Sequence, residues 1–504
     1  MAVPPRAQPD LAWSSERAAE FGGRMVDLWA ELLRRLPDLP VARQWTLDEV
    51  RDAVSIPVPD APMGDEELFA YLRELVFRHS AFTGHPRFVA YVTGPGTVPG
   101  AAADLLAAAL NMNVGGWMLS PAASEIELGL TRWFATEVFG LPDGAGGLIT
   151  SGGAMANFVG LKAARDHRAG WDVRARGVAA GPQLVLYLSP ETHVVSDRAA
   201  DMLGIGTDGV RRVPADEGRR MRPDALRQAI RQDIDAGLRP FAVVGTAGTV
   251  STGAIDPLDA IADVCQDEGV WFHVDGAYGG PAMLAPDLRP LFRGIERADS
   301  IAFDPHKWLY TPHSGGCVLV RKFDWLGESF DVAPSYVHVD KEYTGHGLDL
   351  GRLGPQFSRG FWALKVWVSL LAHGRDAYAR RISHDAALAR YLGERVEERP
   401  EFELTAPVGL SIRCFRFVPP GLPEWPGRDA YLDGLNERLM LEIQADGRAF
   451  CSNAILEERF CLRACIVNFR TEAGDLDALL DVAAEIGARL DGDLRPASSA
   501  GLGP

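Results

Sequence analysis

The chain has 504 residues, 47% of them hydrophobic and 24% charged, and a formal net charge of −17. A chain of this length outgrows a single core, so a large domain with a smaller satellite is expected, and the composition excludes disordered and fibrous classes. The negative charge argues against a nucleic-acid partner, which needs a basic face to displace counterions.

The opening MAVPPRAQPDLAW has no apolar core of a secretory leader. The most apolar stretch, 101–119, is interrupted by Asp104, Asn111 and Asn113, so no membrane span is expected. Six cysteines without a CxxC pair read as reduced thiols of a cytoplasmic protein. Cys461 and Cys465 are spaced to share a helix face, but no further ligand stands at metal-binding spacing, and no metal site is expected.

In the N-terminal segment Met25, Leu28, Trp29, Leu32, Leu33 and Leu36 recur at helical spacing up to Pro37, which predicts an amphipathic helix. Its apolar face requires a partner, either the rest of the chain or a second subunit. From about 145 to 322 the pattern changes to short apolar runs: LVLYL (184–188), FAVVG (241–245), VWFHV (270–274), SIAF (300–303) and GCVLV (316–320). Runs apolar on both faces suit strands covered by helices on both sides, and most are far enough apart for crossover helices. An α/β architecture with a mainly parallel sheet follows, with ligands beyond the carboxyl ends of its strands. Beyond 380 a helical pattern, two strand-like runs (LSIRCFRFV and FCLRACIVNF) and a last helix predict a small C-terminal α+β domain. The expected divisions are 1–95, 96–380 and 381–494, with a disordered tail at 495–504.

Four motifs carry chemistry. TSGGAMAN (150–157) puts Gly153 and Ala154 at the start of a predicted helix, where backbone N–H groups and the helix terminus favour an anion. An ordinary glycine turn is the plain alternative, and neither GxGxxG nor a P-loop is present. His193, in PETHVVSD (190–197), follows the strand LVLYL and is placed to stack on a flat ring or to contact a carboxylate. Asp275 ends the strand VWFHVD and is followed by Gly276 and Ala277. Buried there, it needs a cationic partner or serves as a helix cap. Lys307 closes SIAFDPHKW (300–308), where a partly desolvated amine with a lowered pKa would attack a carbonyl, although most lysines are solvated surface residues.

Taken in order, Ser-Gly-Gly-Ala, Glu-Thr-His, His-Val-Asp-Gly-Ala-Tyr and Asp-Pro-His-Lys-Trp resemble the group II pyridoxal 5′-phosphate (PLP) dependent amino-acid decarboxylases, over roughly residues 80–490. The resemblance implies the PLP-dependent transferase fold of the aspartate-aminotransferase type, and a homodimer with sites at the subunit interface, where the N-terminal helical segment is expected. It makes Lys307 the lysine that carries PLP as a Schiff base, Asp275 the partner of the pyridine nitrogen and His193 the residue stacked on the ring. Gly153, Ala154, Thr249, Ala277, Asp304 and His306 complete the implied cofactor site. In Gly248-Thr249-Val250 the second threonine of the family's turn is replaced by Val250. Tyr91, Thr93 and Arg463 are implied on the substrate side, and Tyr336, within FDVAPSY (330–336), is the implied loop tyrosine that protonates the α-carbon.

The expected activity is decarboxylation of an L-amino acid to the amine. Its rivals on the same scaffold are aldehyde-forming decarboxylation–deamination and transamination; from another class, a non-catalytic PLP-binding protein. Presence of His193 together with Tyr336 favours simple decarboxylation. Trp308 points to the aromatic branch of the family and Ser151-Gly-Gly-Ala154 to the glutamate branch. Phe88, Tyr91 and the space expected at Gly115 and Gly116 favour an aromatic substrate.

Overall fold

The computed structural model describes residues 11–332, 347–407 and 409–495. Seven strands form the central sheet: β1 (Gly146–Thr150), β2 (Leu184–Leu188), β3 (Val210–Arg212), β4 (Arg239–Thr246), β5 (Trp271–Asp275), β6 (Ser300–Phe303) and β7 (Gly316–Val320). Their spatial order is β1-β7-β6-β5-β4-β2-β3. The run from β6 to β3 is parallel, whereas β7 lies antiparallel between β1 and β6. The 304–315 connection contains no helix to carry the chain back across the sheet, so β7 returns antiparallel. Every residue of β1, β2, β5, β6 and β7 is buried, which is why β2, β5, β6 and β7 stand out as apolar runs, whereas β1, Gly-Gly-Leu-Ile-Thr, is too poor in large apolar side chains to do so. The α/β fold with a mainly parallel sheet is therefore as expected.

The smaller sheet contains β8 (Phe402–Leu404), β9 (Ile412–Phe417), β10 (Ser452–Leu456) and β11 (Arg459–Cys465), all antiparallel in the order β10-β11-β9-β8. It has its own apolar core with the helices Arg428–Asp446 and Ala473–Leu494, including Phe415, Leu435, Leu439, Leu479 and Ile486. One helix, Arg375–Glu397, runs through position 380/381 and feeds both cores, with Ile382 and Ala386 in the larger and Leu388, Leu392 and Val396 in the smaller. Cys461 and Cys465 lie on strand β11, within the run expected to be strand-like, so they share no helix face, and all six thiols are free and buried.

The predicted N-terminal helix spans Ser15–Arg35, capped by the Ser14 side chain, which accepts from the Arg17 N–H. It touches its own chain through Phe21 on Phe69 and Arg17 on Asp65, yet none of its residues is buried. No described helix is long and apolar enough to cross a membrane. Tyr336 and the segment 496–504 lie outside the described residues.

Candidate active site

The carboxyl ends of β1, β2, β4, β5 and β6 converge on one cavity, the position that open α/β sheets reserve for ligands. β1 delivers Gly153 and Ala154 at the start of the helix Gly153–Arg168, β2 delivers His193, β5 delivers Asp275 and Ala277, and the turn after β6 delivers Asp304 and Lys307. Seven of the residues expected around a cofactor thus line one hollow.

The turn 304–307 closes through the Lys307 N–H donating to the Asp304 carbonyl, and it folds the lysine back so that Nζ lies 2.8 Å from Asp304 Oδ2. Burial pulls the Lys307 ammonium toward deprotonation, but Asp304 and then Asp275 outweigh it, and the net direction is up. The lowered pKa expected from the sequence is therefore reversed here, because two carboxylates face the same amine. Asp275 is 4% exposed; burial raises its pKa, opposed chiefly by Lys307 and by the Ala277 N–H, which donates to Oδ1 at 3.0 Å. Burial likewise lowers the His193 pKa, with Asp275 opposing it, so a neutral imidazole is favoured.

The helix Gly153–Arg168 sits directly on this group. A Cβ at Gly153 would lie 2.4 Å from Asp304 Oδ2, so only glycine lets the helix start so close to the turn. The first-turn N–H groups of this 16-residue helix form its positive dipole end, which favours an anion beside the cavity.

Other expected residues stand elsewhere. Thr249 does not line the cavity: its hydroxyl is spent on Thr252 at 3.1 Å and on the Ala254 N–H, holding the turn after β4, and Thr246 and Val250 line the wall instead. His306 is also outside the lining; its Nδ1 bonds the Gly315 carbonyl and its ring lies 4.5 Å from that of His313. Tyr91 is 57% exposed with φ 55, and the neighbouring Val92 forms the wall instead of Tyr91 or Thr93. Arg463, 2% exposed, donates from Nη1 to the Tyr91 carbonyl and to Ser452 Oγ, leaving Nε and Nη2 buried without partners. Gly115 makes no room for a ligand, because a Cβ there would lie 2.0 Å from the Phe357 carbonyl oxygen; it permits a close backbone approach.

Sequence reasoning missed Thr246, Asn157, Val195 and Tyr278, all on the cavity wall. Thr246 was within reach of the rule that polar residues ending apolar runs face the ligand, and Asn157 lies one helical turn beyond Gly153. Tyr278 is held by its hydroxyl 2.6 Å from Ser411 Oγ and by stacking on Trp308 at 5.2 Å.

The residues present fit PLP. The cavity combines a buried amine, a buried carboxylate suited to a protonated pyridine nitrogen, a helix start for phosphate and a histidine at the rim. Asp304 Oδ1 is buried without a protein partner beside the helix start, an acceptor that a bound group with a donor would satisfy.

The conserved domain of pyridoxal-dependent decarboxylases matches residues 50–418. The chain is 34% identical over 467 residues to an aromatic-L-amino-acid decarboxylase of Bacillus atrophaeus, covering 93% of this chain and 95% of that protein. It is 29% identical to a phenylacetaldehyde synthase of Arabidopsis thaliana, over 90% of this chain and 92% of that one. A crystal structure of Oryza sativa TDC with PLP and tryptamine superposes with a TM-score of 0.87 at 27% identity, covering 96% of this chain and all of that one.

Proposed function

Since the chain belongs to the pyridoxal-dependent decarboxylase family, we propose that it removes the α-carboxylate of an aromatic L-amino acid, releasing carbon dioxide and the amine. The observation that carries this reading is the meeting of Lys307, Asp275 and His193 on one buried cavity. Bound PLP supplies a sink for the electron pair left when the carbon–carboxylate bond breaks. Lys307 would hold the cofactor through its amine and give it up to the substrate amine. Asp275 would keep a proton on the pyridine nitrogen, and that cation would offset the cost that burial imposes on the carboxylate's charge. A neutral His193, on the cavity lining, would hold the bound ring and orient the departing carboxylate. Arg463 holds the Tyr91 carbonyl next to Val92 of the wall, and its unpartnered Nε and Nη2 are the donors proposed for the substrate carboxylate. Tyr336 returns a proton to the α-carbon.

The aromatic preference is supported by the relatives, which include tryptophan and tyrosine decarboxylases, and by the apolar Val92, Val195 and Val250 on the cavity wall. A homodimer is supported by apolar surface that the single chain leaves open: the Ser15–Arg35 helix, and Leu105, Leu106 and Leu110 on the helix Val98–Leu110. Six free thiols and the charge of −17 support a reducing, cytoplasmic setting without nucleic acid.

The test is product analysis with each of the twenty L-amino acids, with Lys307→Ala as the blank. Amine and carbon dioxide from tryptophan, tyrosine or phenylalanine are expected; preferential turnover of glutamate would overturn the substrate class, and aldehyde as the main product would overturn the reaction.

A further inference from the structure

The core beneath the cavity contains a chain of polar side chains that the proposed reaction does not use. His273 lies in β5 two residues before Asp275, so both point to the same face of the sheet, toward the helix Gly153–Arg168. His273 is fully buried, and its register partner on β6 is Ser300. Ser300 Oγ accepts from Trp271 Nε1 at 2.8 Å and lies 2.7 Å from His273 Nδ1. On the other side, His273 Nε2 lies 2.9 Å from Asn157 Oδ1, and Asn157 Nδ2 donates to the Gly153 carbonyl at 2.9 Å.

The chemistry of these atoms sets the direction of every bond. The Asn157 amide nitrogen is the group that donates to Gly153, so its Oδ1 accepts, and His273 Nε2 carries the hydrogen. His273 Nδ1 is then an acceptor and takes the Ser300 hydroxyl hydrogen, while Ser300 receives from Trp271. Burial pushes the imidazolium pKa down to about 3, so the ring is neutral at working pH and this arrangement persists. Space is reserved for it as well, since a Cβ at Gly160, two turns along the same face from Gly153, would lie 2.8 Å from His273 Cε1.

We propose that His273 is a positioning residue for the phosphate end of the cofactor site, relaying order from Trp271 and Ser300 through Asn157 to the Gly153 carbonyl and so fixing the first turn of the helix Gly153–Arg168. The inference rests on the reading of the cavity as the PLP site. The first turn can present its N–H groups to an anion in one orientation only if Gly153 cannot tilt, and the Asn157 side chain ties that residue to the sheet. Loss of the relay leaves the ring pocket formed by Asp275, His193 and Lys307 intact and loosens the phosphate end alone.

The test compares PLP with pyridoxal, which lacks the phosphate, as ligands of the full-length chain freed of cofactor, by absorbance or fluorescence titration. In His273→Phe, which keeps a ring but neither hydrogen bond, the dissociation constant for PLP should rise at least tenfold and that for pyridoxal less than threefold. Asn157→Leu should reproduce the pattern from the helix side. His273→Gln, whose amide can both donate to Asn157 and accept from Ser300, should stay within threefold of the unmodified chain for PLP. Equal loss for both ligands in His273→Phe and Asn157→Leu would assign the residues a merely structural role and overturn the proposal, as would unchanged PLP affinity. An unmodified chain that binds neither ligand would instead overturn the reading of the cavity itself.

Discussion

Lys307 Nζ and Asp304 Oδ2 stand 2.8 Å apart across a turn that the Lys307 N–H itself closes onto the Asp304 carbonyl. The pair holds the amine as an ammonium, whereas capture of a carbonyl requires the free amine. Cofactor capture should therefore speed up as pH rises toward the raised Lys307 pKa. Asp304→Asn removes the nearest carboxylate and should move the pH–rate profile of PLP incorporation to lower pH. Stopped-flow absorbance across pH checks this; an unmoved or upward-shifted profile would show that Asp304 does not control the amine.

Asp275 faces the same amine from the end of β5. Replacement by asparagine preserves the shape and the contact with the Ala277 N–H but cannot hold a proton on a pyridine nitrogen. Turnover should fall by about a hundredfold or more, corresponding to ~3 kcal/mol, while PLP still binds. Near-normal turnover in Asp275→Asn would reduce the residue to a cap of the 275–277 turn.

Most of the central sheet was legible because its strands are buried on both faces and so appear as unbroken apolar runs. β3, three partly exposed residues reading Val-Arg-Arg, carries no such signal. Within the site, strand ends gave away Asp275, His193 and Lys307, since a polar residue closing an apolar run has one place to point. Turns were less legible. Thr249 and Thr246 stand three residues apart, and spacing alone cannot tell which hydroxyl faces the cavity and which braces the loop. The small size of Gly115 suggested ligand space, whereas the Phe357 carbonyl fills it, a contact between segments far apart in sequence. The direction of the Lys307 pKa depends on Asp304 folding back across the turn, a geometry that no composition rule supplies.

The helix Val98–Leu110 leaves Leu105 and Leu106 58% and 54% exposed. If a second copy covers them, the double substitution Leu105→Glu and Leu106→Glu places two charges in an apolar interface and should shift sedimentation from dimer to monomer at micromolar concentration. Activity should fall in parallel, because the site is expected at the interface. A variant that stays dimeric and active would remove this helix from the contact.

The proton that completes the proposed reaction separates it from its neighbours. Once carbon dioxide leaves, the α-carbon must be protonated before oxygen reaches it, and a phenol at the site can supply that proton while water is excluded. Tyr336 is the proposed donor, and loss of a group that acts only as a proton donor is expected to leave PLP and substrate binding in place. Tyr336→Phe should therefore release carbon dioxide more slowly and divert part of its flux to aldehyde, ammonia and peroxide in air, with less aldehyde under nitrogen. Product analysis of both proteins with the best substrate, with and without oxygen, checks this. If Tyr336→Phe makes amine at the unmodified rate and no aldehyde, the proton comes from another group, and the presence of Tyr336 no longer argues for amine formation over the aldehyde-forming reaction.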